Sequence, residues 1–185
     1  MKRTTYKRAT AGLLSLVFVL ASLGFGSTAI AADDTQTVTV DVKSYIGLTT
    51  TTPSTIDLTP AAAAASGEST STATINCNDN DGYTLTIKMN VASSNLVSGG
   101  DAIPTGGASS AAVGDLSDNT WGFKGGLVTI YTAMPTSSGT AATLASTSST
   151  ASADVTTVTF GAKVTNTQPT GSYSGTVLFT ALPKP

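Results

Sequence analysis

The sequence predicts an all-β protein: a single antiparallel β-sandwich of immunoglobulin-like or Greek-key type, preceded by an N-terminal signal-peptide helix. Three observations carry this expectation. Beyond the N-terminus, apolar residues recur with period two, the spacing of half-buried strands, and no segment keeps a helical period. Thr and Val dominate these runs, and β-branched side chains suit a pleated surface. The runs are separated by clusters of Gly, Asn, Asp, Ser and Pro, which mark turns. Roughly eight to ten short strands result, and their uneven spacing favours a sandwich over a closed barrel. No fixed-period repeat is present, which argues against a solenoid.

Residues 1–31 read as a secretory signal. Lys2, Arg3, Lys7 and Arg8 form a basic start, residues 11–25 are largely apolar, and Ala29-Ile30-Ala31 supplies the small residues of a cleavage site. The apolar stretch is shorter than the roughly 20 residues of a spanning helix, so no membrane span is expected after cleavage. Residues 32–185 then form the surface domain, long enough to build a core without disulfide staples. The chain is expected to be secreted and to lie outside the cell or at its envelope.

The elements follow in order. Residues 37–42 alternate cleanly, with Val38, Val40 and Val42 on one face, and read as the first strand. Residues 45–48 and 55–58 read as short strands, and the alanine run at 61–65, flanked by Pro60 and Gly67, reads as a connecting loop. The clearest pairing signal comes next. Residues 71–77 place Ala73, Ile75 and Cys77 on one face, and residues 83–89 place Tyr83, Leu85, Ile87 and Met89 inward. Between them, Asn78-Asp79-Asn80-Asp81-Gly82 is strong turn chemistry, predicting a hairpin.

Residues 93–117 read as a long surface loop with room for a short strand. Residues 120–123 and 127–133 are strand-like, separated by Gly125-Gly126. Residues 135–153 read as a second small-residue loop. Residues 155–164 alternate again, with Val158, Phe160, Ala162 and Val164 inward. The last strand is expected over 173–181, with Tyr173, Val177, Phe179 and Ala181 sharing a face.

The chemistry available is thin. The chain has no His, so Ser-His and Cys-His nucleophile pairs cannot be built. Glu68 is the only Glu, and most Asp residues occupy turns, which gives no facing pair of carboxylates for glycoside hydrolysis. No catalytic residue and no cofactor are expected. The 78–82 turn fails the EF-hand pattern, since Cys77 and Lys88 fall where ligands are needed, and no metal site is expected. Once the signal is removed, five lysines stand against all eleven acids, with no Arg. Such a surface is a poor partner for phosphate backbones, so nucleic acid is excluded. Cys77 is the only Cys, which rules out an intramolecular disulfide and favours a buried thiol.

Three stretches carry a resemblance: 74–86, containing Gly82-Tyr83-Thr84-Leu85-Thr86; Asn119-Thr120-Trp121-Gly122-Phe123; and the C-terminal TGSYSGTVLFTALPKP. In this order they resemble WxL-like bacterial cell-surface β-sandwich proteins and, more distantly, pilin-like and spore-coat subunits. In place of the family's Trp-x-Leu, this chain has Trp121-Gly122-Phe123. The resemblance implies a bacterial surface role, with cell-wall polysaccharide, peptidoglycan or other surface proteins as partners.

Three functions are expected from these readings. The first is a non-catalytic structural or adhesive surface protein. The second is a wall- or carbohydrate-binding module, with Trp121, Phe123 and Tyr131 as an exposed aromatic platform; against it stands Trp121 as a core residue. The third is a fibre subunit whose N-terminal strand pairs with a neighbouring subunit.

Overall fold

Period-two patterning does build two packed antiparallel sheets. A computed structural model describes residues 36–185 apart from residue 62, so the signal peptide expected over residues 1–31 lies outside the described residues. From Asp41 onward the chain forms one compact unit. Its strands are β1 (Ile46–Thr50), β2 (Ala65–Cys77), β3 (Tyr83–Met89), β4 (Leu96–Ser98), β5 (Asp101–Ile103), β6 (Thr120–Gly125), β7 (Val128–Thr132), β8 (Ala142–Ser146), β9 (Ala151–Val164) and β10 (Val177–Pro183). One sheet has the order β1-β2-β9-β6-β7, the other β10-β3-β8, and β4-β5 form a small hairpin. No helix among the described residues is long and apolar enough to cross a membrane.

The core lies between the sheets and follows the alternation. Ala73, Ile75 and Cys77 of β2, Tyr83 to Met89 at every second position of β3, and Val158 to Val164 likewise in β9 are all buried. Val177, Phe179 and Ala181 of β10 pack against them. Cys77 is a buried free thiol, as its strand position predicts.

The wiring differs from the expected hairpin. β2 and β3 belong to different sheets, so the 78–82 segment is a corner between layers. The turn chemistry is right, with Gly82 N–H donating to Asp79 C=O at 3.1 Å and Gly82 at φ +80°. What decides the pairing is β9, which runs beside β2 over its whole length, while β8 pairs with β3. The β3–β8 pairing is thus nested inside the β2–β9 pairing, one in each sheet. At the corner, Asn76 lies opposite a bulge in β9 where Ala153 adopts φ +52°, and Asn76 Oδ1 accepts the Ala153 N–H at 2.8 Å.

Other boundaries also differ. The 37–42 segment forms no strand among the described residues, and Val38, Val40 and Val42 are 86%, 78% and 77% exposed. Residues 55–58 are irregular; Ile56 and Leu58 instead lie over Gly67, where an added Cβ would sit 2.7 Å from Ile56. β2 begins at Ala65, earlier than apolar alternation alone indicates, because Ser69 and Ser71 occupy its inward positions. β8 lies inside the expected 135–153 loop, anchored by fully buried Leu144. The last strand begins at Val177, so Tyr173 precedes it.

The two sheets are unequal. β2 and β9 are 13 and 14 residues long, whereas β3 and β10 have 7 each and β8 only 5. The three-stranded sheet therefore covers the corner half of the larger sheet. Irregular segments cover the rest, and that mismatch positions the candidate site.

Candidate functional site

The expected aromatic platform does not form. Trp121 is 3% exposed, Phe123 0% and Tyr131 1%. The rings also lie on opposite faces of the larger sheet. Trp121 and Phe123 alternate inward from β6 and join the main core. Trp121 is fixed there, its Nε1–H donating to the Ser94 carbonyl at 2.9 Å. Period-two spacing places the two rings together, but which face they take depends on what covers β6, and no local signal encodes that.

Tyr131 lies on the outer face, in a small cluster of its own. Gly122 of β6 pairs with Gly161 of β9, which leaves a shallow trough on the sheet. The Tyr131 ring lies over Gly161, where an added Cβ would come within 2.6 Å of it. Its hydroxyl donates to Glu68 Oε1 at 2.7 Å. Lys124 Nζ sits 4.6 Å from the ring centroid and donates to the same Glu68 oxygen at 3.0 Å. The loop before β6 caps the cluster: Tyr131 N–H donates to Ser110 C=O, Ala108 N–H to Tyr131 C=O, and Leu116 is buried.

The hydrogen bond from Tyr131, helped by Lys124 and opposed by burial, holds the Glu68 carboxyl below its ordinary value. Burial and then Glu68 push the Tyr131 hydroxyl up, so it stays protonated and donates. Every group in the cluster is satisfied by another, which makes it a structural brace. Tyr83 behaves similarly on the core side: its hydroxyl donates to Asp154 Oδ2 at 2.6 Å, and burial raises its pKa first. No cluster of three or more metal-ligating side chains occurs among the described residues. In the corner, Asp79 Oδ1 accepts the Asp81 N–H at 3.1 Å, a local turn bond.

A groove of about 780 Å³ lies over the end of the large sheet away from the corner, with Val177 at the start of β10 also lining it. Phe160, Ala162 and Val164 of β9 and Trp121 of β6, all buried, line it together with Leu96 of β4 and Ile103 of β5. Residues 53–60 make one wall and residues 168–175 the other. Small residues leave the space open: Ser69 of β2, Ala162 of β9 and Gly175 before β10. Neither wall contains a named strand. Trp121 is thus the one member of the expected platform that lines the groove. The sequence signal for the groove is faint: inward small residues in strands that also carry large ones. No family model, curated protein or solved structure matches this chain.

Proposed function

We propose that this is a secreted, non-catalytic cell-surface structural protein whose copies join through an N-terminal strand. The observation that carries the reading is the 37–42 segment. It has the strongest strand alternation near the start of the domain, yet it pairs with nothing described and leaves three valines exposed. Scattered exposed apolar residues are ordinary, but three on one face of an unpaired strand-former are an unfilled pairing capacity. A strand added to another molecule's sheet gains main-chain hydrogen bonds and buries alternate side chains together. Export processing after Ala31 would leave the segment close to a free N-terminus.

The remaining features support a structural role. The titratable clusters are self-satisfied, His is absent, and beyond residue 32 five lysines stand against eleven acids. Adhesion to other surface proteins or to wall polysaccharide follows from display of the Thr- and Ser-rich loops. The test is the size distribution of the protein purified after export. Assemblies that grow with concentration and disappear when residues up to Val42 are removed support the reading. A monomer at every concentration overturns it.

A further inference from the structure

We infer that residues 111–116 are an acid-released strap on the outer face of the large sheet, latched by Glu68 through Lys124. The segment 104–116 has two halves with different fastenings. The first is bound as sheet: Trp121 N–H donates to Pro104 C=O, Gly106 N–H to Trp121 C=O, Ala108 N–H to Tyr131 C=O and Tyr131 N–H to Ser110 C=O. The second makes no main-chain bond to a strand among the described residues. Its short 3-10 turn, Val113–Asp115, closes on itself, with Asp115 N–H donating to Ala112 C=O and Leu116 N–H to Val113 C=O. That turn lies against β2 and β9, the strands that carry Glu68 and Gly161.

Leu116 and Lys124 fasten this second half to the sheet. Leu116, the one buried residue of the strap, lies over Gly122, where an added Cβ would sit 3.5 Å from its side chain. Lys124 Nζ donates to Ala111 C=O at 2.6 Å and to Glu68 Oε1 at 3.0 Å. Lys124 thus ties the strap to a carboxylate on β2, and its place depends on that charge. An ammonium bonds a neutral carboxyl much less strongly than a carboxylate, and a lysine stem is otherwise free to carry its head into water.

The charged and titratable groups around the latch come from every neighbouring element. β2 supplies Glu68, β6 Lys124, and β7 the Tyr131 hydroxyl on the same carboxylate oxygen. β9 supplies Lys163, which pairs with Asp118 beyond the strap at 3.0 Å. Asp115 accepts from Ser110 and bonds only within the loop. Of these acids, Glu68 alone connects residues 111–116 to a strand. The Tyr131 hydroxyl, opposed by burial and helped by Lys124, holds the Glu68 carboxyl below its ordinary range. Opening the strap releases the Lys124 share, so the open form takes up a proton more readily than the closed one. Closure is therefore favoured above the ordinary carboxyl range and weakens as pH falls through it. The open form uncovers Leu116 and the Tyr131 ring, apolar surface that the closed form hides.

Amide hydrogen exchange of the exported protein, expressed as protection relative to an unstructured chain at the same pH, reads the strap. Protection over residues 111–116 is expected to fall about two- to fivefold between about pH 6 and about pH 3, the scale of a partly exposed ion pair, while β3 and β9 keep theirs. E68Q, uncharged throughout, shows the lower protection already at the higher pH and no further change in acid. D115N and D118N retain the full response. Protection in E68Q equal to that of the unmodified protein at the higher pH overturns the inference, and so does a response abolished in D115N or D118N. A loss shared equally by the strap, β3 and β9 is global unfolding and overturns it too. Far-UV circular dichroism checks the fold of each variant. The Glu68 carboxyl titration, followed by NMR in the unmodified protein, gives a reading that needs no variant: its midpoint coincides with that of strap exchange, and a displaced midpoint overturns the latch.

Discussion

Tyr131 shows how one glycine and one carboxylate set the position of a side chain. Its ring occupies the space left by Gly161, and Glu68 and Lys124 hold it there. Gly161→Ala puts a Cβ into the ring, and overpacking of this kind costs about 1–3 kcal/mol; urea denaturation is the check. Tyr131→Phe keeps the ring and removes the hydrogen bond, for a loss of about 1 kcal/mol at neutral pH. The same substitution changes the acid response. Glu68 has a lowered pKa in the folded state, so its contribution is present above its unfolded value, about 4.3, and is lost as pH falls through the folded value. Unfolding midpoints between pH 7 and pH 3 should decline less in Tyr131→Phe than in the unmodified protein. An equal decline in both means the Tyr131 bond does not depress the Glu68 pKa.

Asn119 makes a comparable point before β6. It adopts φ +56°, and its Oδ1 accepts both the N–H and the hydroxyl of Thr165. Asn119→Ala loses those bonds and with them the side-chain contacts that let Asn tolerate the left-handed region, for about 2 kcal/mol in total. Asn119→Gly relieves the backbone term and should cost less, which thermal unfolding of the two variants distinguishes.

At the scale of elements, the strands with large apolar residues at every second position are legible: β3, the C-terminal half of β2 and most of β9 fall where alternation puts them. The strands that were missed or misplaced have a common cause. β8 reads Ala-Thr-Leu-Ala-Ser and offers one large side chain, yet Leu144 is fully buried between the sheets. Leu144→Ala is therefore expected to destabilise by about 2–5 kcal/mol despite its loop-like surroundings, as denaturant midpoints will show. The first half of β2 was hidden because serines fill its inward positions beneath the groove. The 37–42 segment errs the other way: its alternation is strong, but a pattern specifies a strand only where a partner exists.

For the whole molecule, class and layering were legible and wiring was not. The Asn78–Gly82 corner and an ordinary hairpin turn use the same residues, and β9, more than seventy positions later, decides between them. The candidate site was least legible of all, since it arises from the length difference between two sheets. The aromatic platform illustrates this: Trp121 and Phe123 face the core, Tyr131 faces away, and no shared surface results. What the described residues present is a groove lined by core residues and, in a segment that forms no strand among them, three exposed valines.

The most direct test of that account is sedimentation velocity on the exported protein beside its V38D, V40D, V42D variant, across a hundredfold range of concentration. The account predicts concentration-dependent assemblies for the unmodified protein and a monomer for the variant. Monomers in both, or identical assemblies in both, would contradict it.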